Sequence, residues 1–249
     1  MIKEERQKKI LSILEEEEKV IATDLSKRFN VSEDTIRRDL NELNNKRLLR
    51  RVHSGALRVG PAITNFTYRQ TLDTDIKQHL ARKAISFLKE RSVIIIDGST
   101  TNLELVKMIP SDFSCTVITN SPPIAMALVN HKNIETINLG GFFFQESMVN
   151  VGSETITSLD KIRADLYIMG LHNINADAGA SVPTLQEAQV KSKMVDISTE
   201  VLSLVTANKF GTVSNYIVCS AAEITYIVTD RLSDKIKEEY QSKNLQFID

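Results

Sequence analysis

Apolar residues recur at helical spacing early in the chain, at Ile10, Ile13 and Leu14, behind a charged lead-in. The glutamates at 15–18 that follow read as a solvated helix end. A second, short helix fits 23–29 with Thr23 as its N-cap, and Asn30-Val31-Ser32 reads as a turn. Ser32 then caps a third helix running to about Lys46, whose Ile36, Leu40 and Leu43 share one face. Residues 48–59 pattern as a hairpin of basic strands around His53-Ser54-Gly55. Gly60-Pro61 breaks that pattern, and the polar stretch behind it reads as linker.

From about Asp73 the pattern changes character. A helix ending near Arg91 precedes Val93-Ile94-Ile95-Ile96, a continuous apolar run expected of a strand buried on both faces. Strands at 116–119, 134–139, 166–169, 201–205 and 224–228 are interleaved with helices at 103–108, after Pro123, at 185–197 and at 234–240. Such alternation predicts an α/β domain on a mostly parallel sheet. The expected organisation is two domains: a small, mainly helical unit at 1–58, a linker at 59–72 and an α/β unit at 73–249.

Composition narrows this picture. Of 249 residues, 42% are hydrophobic and 25% charged, the balance of a globular chain, which excludes disorder as the main state. No apolar run approaches the roughly 18 residues of a membrane span, and the charged start of the chain does not look like a signal peptide. A cytoplasmic protein without membrane contact is expected. Cys115 and Cys219 lack neighbours at ligand spacing and read as buried thiols. Net charge is −1, but its distribution is uneven: residues 35–58 hold 7 basic and 2 acidic side chains. A basic segment on a neutral chain indicates a discrete anion-binding module.

Three short helices with a turn before the third form a helix-turn-helix, in which the third helix enters the major groove of DNA. With Ile36 and Leu40 facing inward, Thr35, Arg37 and Arg38 fall outward, where arginine can bond guanine or phosphate. Arg50, Arg51 and His53 sit on the hairpin, placed to grip the flanking backbone as a wing. The expected DNA-binding set is Thr23, Ser32, Glu33, Asp34, Thr35, Arg37, Arg38, Asn41, Arg50, Arg51 and His53. Arg6-x3-Ile10-x3-Leu14, then Ser32-x2-Thr35-Ile36-Arg37-Arg38-Asp39-Leu40, resembles the N-terminal signature of the DeoR family of bacterial transcriptional regulators. The resemblance implies a winged helix-turn-helix repressor, less often an activator, of a sugar catabolism operon, with double-stranded operator DNA as partner.

In the second domain, strand 93–96 runs into Asp97-Gly98-Ser99-Thr100-Thr101 and then a helix. Backbone N–H groups, the helix dipole and three hydroxyls make a cradle for a phosphate monoester. The lysine of a nucleoside-triphosphate loop and the spacing of a dinucleotide loop are both missing, so ATP and NAD fit poorly. Asn120 and Ser121 end the second strand, and Gly140 and Gly141 end the third; ligands in open α/β sheets sit at such ends. Glu187 and Lys191 lie one helical turn apart, which also fits a Thr184 capping box and a surface ion pair, and Lys209 follows a later strand. IDGSTT, VITNS, LGG, EAQVKSKM and NKFG, in this order, resemble the DeoR-type sensor domain, which is similar in fold to the ribose-5-phosphate isomerase and CoA-transferase group.

That second resemblance implies a phosphorylated sugar or sugar-derived effector held by Asp97, Gly98, Ser99, Thr100, Thr101, Asn120, Ser121, Gly140, Gly141, His172, Glu187, Lys191 and Lys209. No metal or cofactor is expected, and a homo-oligomer, dimer or tetramer, is. The sequence departs from the family at Leu171-His172-Asn173-Ile174-Asn175, where a small, glycine-rich segment is usual; His172 either contacts the effector or narrows its pocket. The Gly98-Ser99 order is exchanged, and Thr206-Ala207-Asn208 stand where an aspartate and small polar residues are usual. A competing reading is a sugar-phosphate isomerase-like enzyme with Asp97, Glu187 or Lys191 as acid and base. The complete helix-turn-helix signature, for which an isomerase has no use, argues against it.

Overall fold

The computed structural model describes residues 1–17, 19–243 and 245–248. Its first unit holds α1 (Lys3–Glu17), β1 (Lys19–Ile21), α2 (Ala22–Phe29), α3 (Glu33–Asn45) and the hairpin β2 (Arg50–Val52) and β3 (Gly55–Leu57). Ile10, Leu14, Leu25, Ile36, Leu40 and Leu43 form one buried cluster, so α1 and α3 pack through the faces their periodicity marked. Asn30, left-handed at φ 52°, closes α2, and the Ser32 hydroxyl caps α3 by accepting the Thr35 N–H at 3.2 Å. Arg6 bonds the Asp39 carboxylate in the buried seam between α1 and α3. Of the glutamates read as a solvated helix end, Glu18 and the side chain of Glu15 lie outside the described residues.

Thr23 does not cap α2. Strand β1, too short to show a period, pairs antiparallel with β3 and delivers the chain into the helix one residue earlier. The Ala22 N–H then donates to Ser54 O, so the helix start is held by the hairpin and needs no hydroxyl.

The stretch expected as linker carries α4 (Phe66–Thr71), capped by Asn65, which accepts the Tyr68 N–H at 2.8 Å. Phe66 is buried in the core of the α/β unit, and its N–H donates to Glu146 O. One buried aromatic leaves no periodic signal, yet it fastens this segment to the second domain. Helix α5 (Thr74–Ala84) and a 3-10 turn (Ile85–Phe87) follow, stopping short of Arg91, whose φ of 60° turns the chain into the sheet.

The α/β unit then runs through β4 (Val93–Ile96), α6 (Thr100–Lys107), β5 (Cys115–Thr119), α7 (Pro122–Ala127), β6 (Ile134–Asn138), β7 (Phe142–Phe144), β8 (Val149–Val151), α8 (Ser153–Ser158) and β9 (Ala164–Met169). After these come β10 (Asn173–Asn175), β11 (Gly179–Val182), α9 (Leu185–Asp196), β12 (Ser198–Val205), β13 (Tyr216–Cys219), β14 (Tyr226–Thr229), α10 (Asp234–Tyr240) and β15 (Gln246–Ile248). Seven strands form one sheet in the order β15-β14-β12-β9-β4-β5-β6, every neighbour pair parallel. Helices cover both faces of its apolar strands. Strands β10, β11 and β13 make a small antiparallel sheet, and β7 and β8 a hairpin; neither was legible from the alternation of apolar runs. Both cysteines are buried and free.

The sheet order has one reversal of direction. From β4 the chain builds outward through β5 and β6, then returns to place β9 on the other side of β4. In an open α/β sheet the crevice at such a switch, outside the carboxyl ends of the two strands, is where a ligand finds room.

Candidate functional site

On the first unit the outward face of α3 presents Asp34, Arg37, Arg38 and Asn41 to solvent, with Glu33 and Thr35 partly covered. Arg37 forms an exposed pair with Glu33 at 3.3 Å, an interaction of small worth that leaves the arginine available. Arg51 acts as a brace: its N–H bonds Asn44 Oδ1, its Nε bonds Asn41 Oδ1 and its Nη1 bonds Gly55 O, fixing the hairpin against α3. His53 is exposed at the hairpin tip. Thr23 is exposed on α2, where its carbonyl accepts the Ser26 hydroxyl. Arg50 bonds Asn215 of the second domain.

At the switch point lies a cavity of about 410 Å³. Gly98, Ser99, Thr100 and Thr101 form one wall; Ser99 is the N-cap of α6, its hydroxyl accepting the Asn102 N–H at 2.9 Å. Gly170, Leu171 and His172 after β9, and Thr206, Asn208 and Lys209 after β12, form another. Glu187 and Lys191 of α9 complete the floor. Under it Asp97, wholly buried, receives Lys191 Nζ, Tyr167 OH, the Gly170 N–H and Asn102 Nδ2. Gly170 is required here, since a Cβ would stand 2.6 Å from Ser99 Cβ and 2.9 Å from Asp97 Oδ1.

The walls also include residues that sequence reasoning missed. Arg69 comes from α4 and Lys77 from α5, with Phe144, Glu146 and Ser147 from the β7–β8 hairpin. Lys77 is buried and bonds the carbonyls of Arg69 and Leu72, closing the end of α4. A basic residue inside a presumed linker carried no signal beyond the Asn65 cap and Phe66.

Four cations therefore face one cavity: Arg69, Lys77, Lys191 and Lys209. Burial, with Arg69, Lys77 and Lys191 nearby, lowers the Lys209 ammonium to about 8, while its Nζ bonds Leu171 O at 2.7 Å. Burial and the cations Lys209 and Arg69 push His172 down to about 4. Its ring is neutral near pH 7, and since Pro61 O can only accept, Nε2 carries the proton of their 3.1 Å bond. Glu187 accepts the Thr184 hydroxyl at 2.7 Å, and Lys191 reaches down to Asp97.

The loops after β5 and β6 stand behind the cavity wall and not in it, with Ser121 so close to Gly98 that a Cβ on Gly98 would lie 3.1 Å from Ser121 Oγ. Asn120 bonds Asn150 O, Ser121 bonds Met148 O, and Gly140 O accepts the Thr155 hydroxyl. Gly141 adopts φ +127° against Thr155 and Val151. Asn120, Ser121, Gly140 and Gly141 do not line the cavity; the β7–β8 hairpin folds over the end of β5, its Asn150 and Met148 carbonyls taking the Asn120 amide and the Ser121 hydroxyl, while Asn120 Oδ1 is buried without a partner among the described residues. They lie one and two strands away from the switch, whereas the crevice opens between β4 and β9.

Comparison with known proteins agrees with these two units. The family model of the DeoR-like helix-turn-helix domain matches residues 6–61, and that of the DeoR C terminal sensor domain matches residues 72–231. The chain is 30% identical to the HTH-type transcriptional repressor GlcR of Bacillus subtilis, with 94% of this chain and 91% of that protein covered. It is 28% identical to the HTH-type transcriptional regulator GlpR of Haloferax volcanii (100% and 98%) and 29% identical to the L-fucose operon activator of Haemophilus influenzae (98% and 98%). A ribose 5-phosphate isomerase A from Methanocaldococcus jannaschii aligns over 55% of each chain at 15% identity and a TM-score of 0.40, which adds nothing to the strand order. Among the described residues no helix is long and apolar enough to cross a membrane. The relatives are regulators and not isomerases, and a family model covers well over half of the sequence: this chain is a DeoR family transcriptional regulator, a helix-turn-helix domain joined to a DeoR-type sensor domain.

Proposed function

We propose that the protein represses a carbohydrate catabolism operon and is released from its operator by a phosphorylated sugar seated in the switch-point cavity. The observation that carries the reading is the meeting of the α6 N-terminus with Arg69, Lys77, Lys191 and Lys209 around one space of about 410 Å³. The phosphate is assigned to Gly98–Thr101 and the nearby cations. Glu187 accepts sugar hydroxyls, and so does the neutral His172 through its unprotonated Nδ1. Arg37 and Arg38 read bases, and the hairpin contacts backbone phosphate. A two-fold oligomer would present two such helices to an inverted repeat. Repression is the sign carried by the name of the 30% identical relative GlcR.

A thermal-shift comparison of sugar phosphates with the free sugars tests the cavity. Near 100 times the dissociation constant the true effector adds about 2.7 kcal/mol, which for a domain of this size raises the midpoint by roughly 5–11 °C. Ser99→Asp keeps a good helix cap but sets a carboxylate where the phosphate would lie, so the shift should vanish while operator binding persists. A full shift in Ser99→Asp, or equal shifts from sugar and sugar phosphate, would remove the phosphate from this loop.

A further inference from the structure

We infer that Asn215, on the sensor domain, is a positioning residue that controls DNA binding by holding the wing arginine Arg50. The inference rests on the proposed role of the wing as a backbone contact. Arg50 Nη2 donates to Asn215 Oδ1, joining β2 to the segment that enters β13. The contact is not isolated. Arg58, directly after β3, donates Nη2 to Phe210 O at 3.2 Å, and its backbone bridges Thr212. Lys19 of β1 lies 3.9 Å from Asp177, in the turn between β10 and β11. Gly60 presses so closely on the same ground that a Cβ would stand 1.9 Å from Asn173 Nδ2. The wing sheet is thus docked on the small antiparallel sheet and the turn at 206–212.

Docking and DNA compete for one side chain. To reach a phosphate, Arg50 must exchange the neutral amide of Asn215 for a charged acceptor, and the wing must leave its seat. The seat is also wired to the cavity. Thr212 Oγ donates to Lys209 O at 2.7 Å, Thr212 N–H donates to Ile174 O, and Lys209 Nζ bonds Leu171 O in the cavity wall. His172 bonds Pro61 O, three residues beyond Arg58. A ligand that draws Lys209 or His172 acts on the segment that carries the wing. The docked arrangement is the state that withholds Arg50 from DNA, and ligand-dependent control needs only a different affinity for docked and undocked forms.

Operator titrations of the full chain separate the possibilities, because Asn215 is exposed and its replacement leaves the core intact. Asn215→Ala should tighten operator binding by about threefold to tenfold, the effect of one exposed, charge-assisted hydrogen bond. Asn215→Asp should loosen it by a similar factor, since a carboxylate holds Arg50 more firmly. A merely structural residue would shift both variants in one direction. In an Arg50→Ala background both effects should disappear. Unchanged or weaker binding by Asn215→Ala overturns the inference, as does a loss in Asn215→Asp that survives Arg50→Ala, which would be plain repulsion of DNA. The wing contact is read separately, by comparing Asn215→Ala with Asn215→Ala/Arg50→Ala: equal affinities would sink the wing reading itself, whereas a loss there beside an ineffective Asn215→Ala sinks the latch alone.

Discussion

Among the described residues each domain buries an ion pair, and the two pairs differ in what surrounds them. Asp39 in the helix-turn-helix is met by Arg6, with Gln7 Nε2 more distant at 3.4 Å. Asp97 in the sensor is met by Lys191 and also by a tyrosine hydroxyl, a backbone N–H and an asparagine amide. A buried carboxylate with one strong donor depends on that donor. A carboxylate with four keeps most of its compensation when one is withdrawn. The first pair is a rivet between two helices; the second leaves a lysine whose charge faces a cavity and can be shared with a ligand. The same chemistry thus serves cohesion in one domain and recognition in the other.

The comparison breaks most visibly in unfolding experiments. Arg6→Ala should strand Asp39 and destabilise the helix-turn-helix by about 3–5 kcal/mol, whereas replacing both partners with apolar residues should recover most of that loss. Lys191→Ala should cost the sensor only about 1–2 kcal/mol, because the remaining donors still hold Asp97. Thermal unfolding followed by circular dichroism gives both values; equal losses would erase the distinction. Effector-induced stabilisation should nonetheless be lost in Lys191→Ala. Between these two effects stands Gly170→Ala, whose added methyl has no room beside Ser99 and Asp97 and should cost about 1–3 kcal/mol along with effector binding.

The smallest effect is a pH dependence. Lys209 is lowered in the folded protein to about 8, below its ordinary 10.5, so its charged form is penalised below that value. As pH rises from about 8 towards 10.5, this penalty on folding is relieved. An anionic effector needs the ammonium, so the sign for binding is opposite: affinity should fall by up to about tenfold per pH unit above 8. Lys209→Met should flatten that slope when effector affinity is measured between pH 7 and 9.5. His172, neutral across this window, contributes nothing to it. A slope that survives Lys209→Met would assign the titration to another group.

Much of this was written in local pattern. The packed faces of α1 and α3, the Ser32 cap, the buried strand before Asp97 and the alternation that makes a parallel sheet are consequences of periodicity and capping, which act over a few residues. Ser99, Lys191 and Lys209 belonged to short motifs and could be placed as candidates for the same reason. What sequence could not reach depends on which strand lies beside which. The cavity opens between β4 and β9, some seventy residues apart, and that adjacency alone brings Asp97 to Gly170 and leaves Asn120 under a hairpin. Arg69 and Lys77 joined the cavity because one phenylalanine anchored a polar segment, and Arg50 met Asn215 because two domains came together. Short-range order is fixed by the residues that form it, while a site assembled from distant segments exists only after the chain has folded.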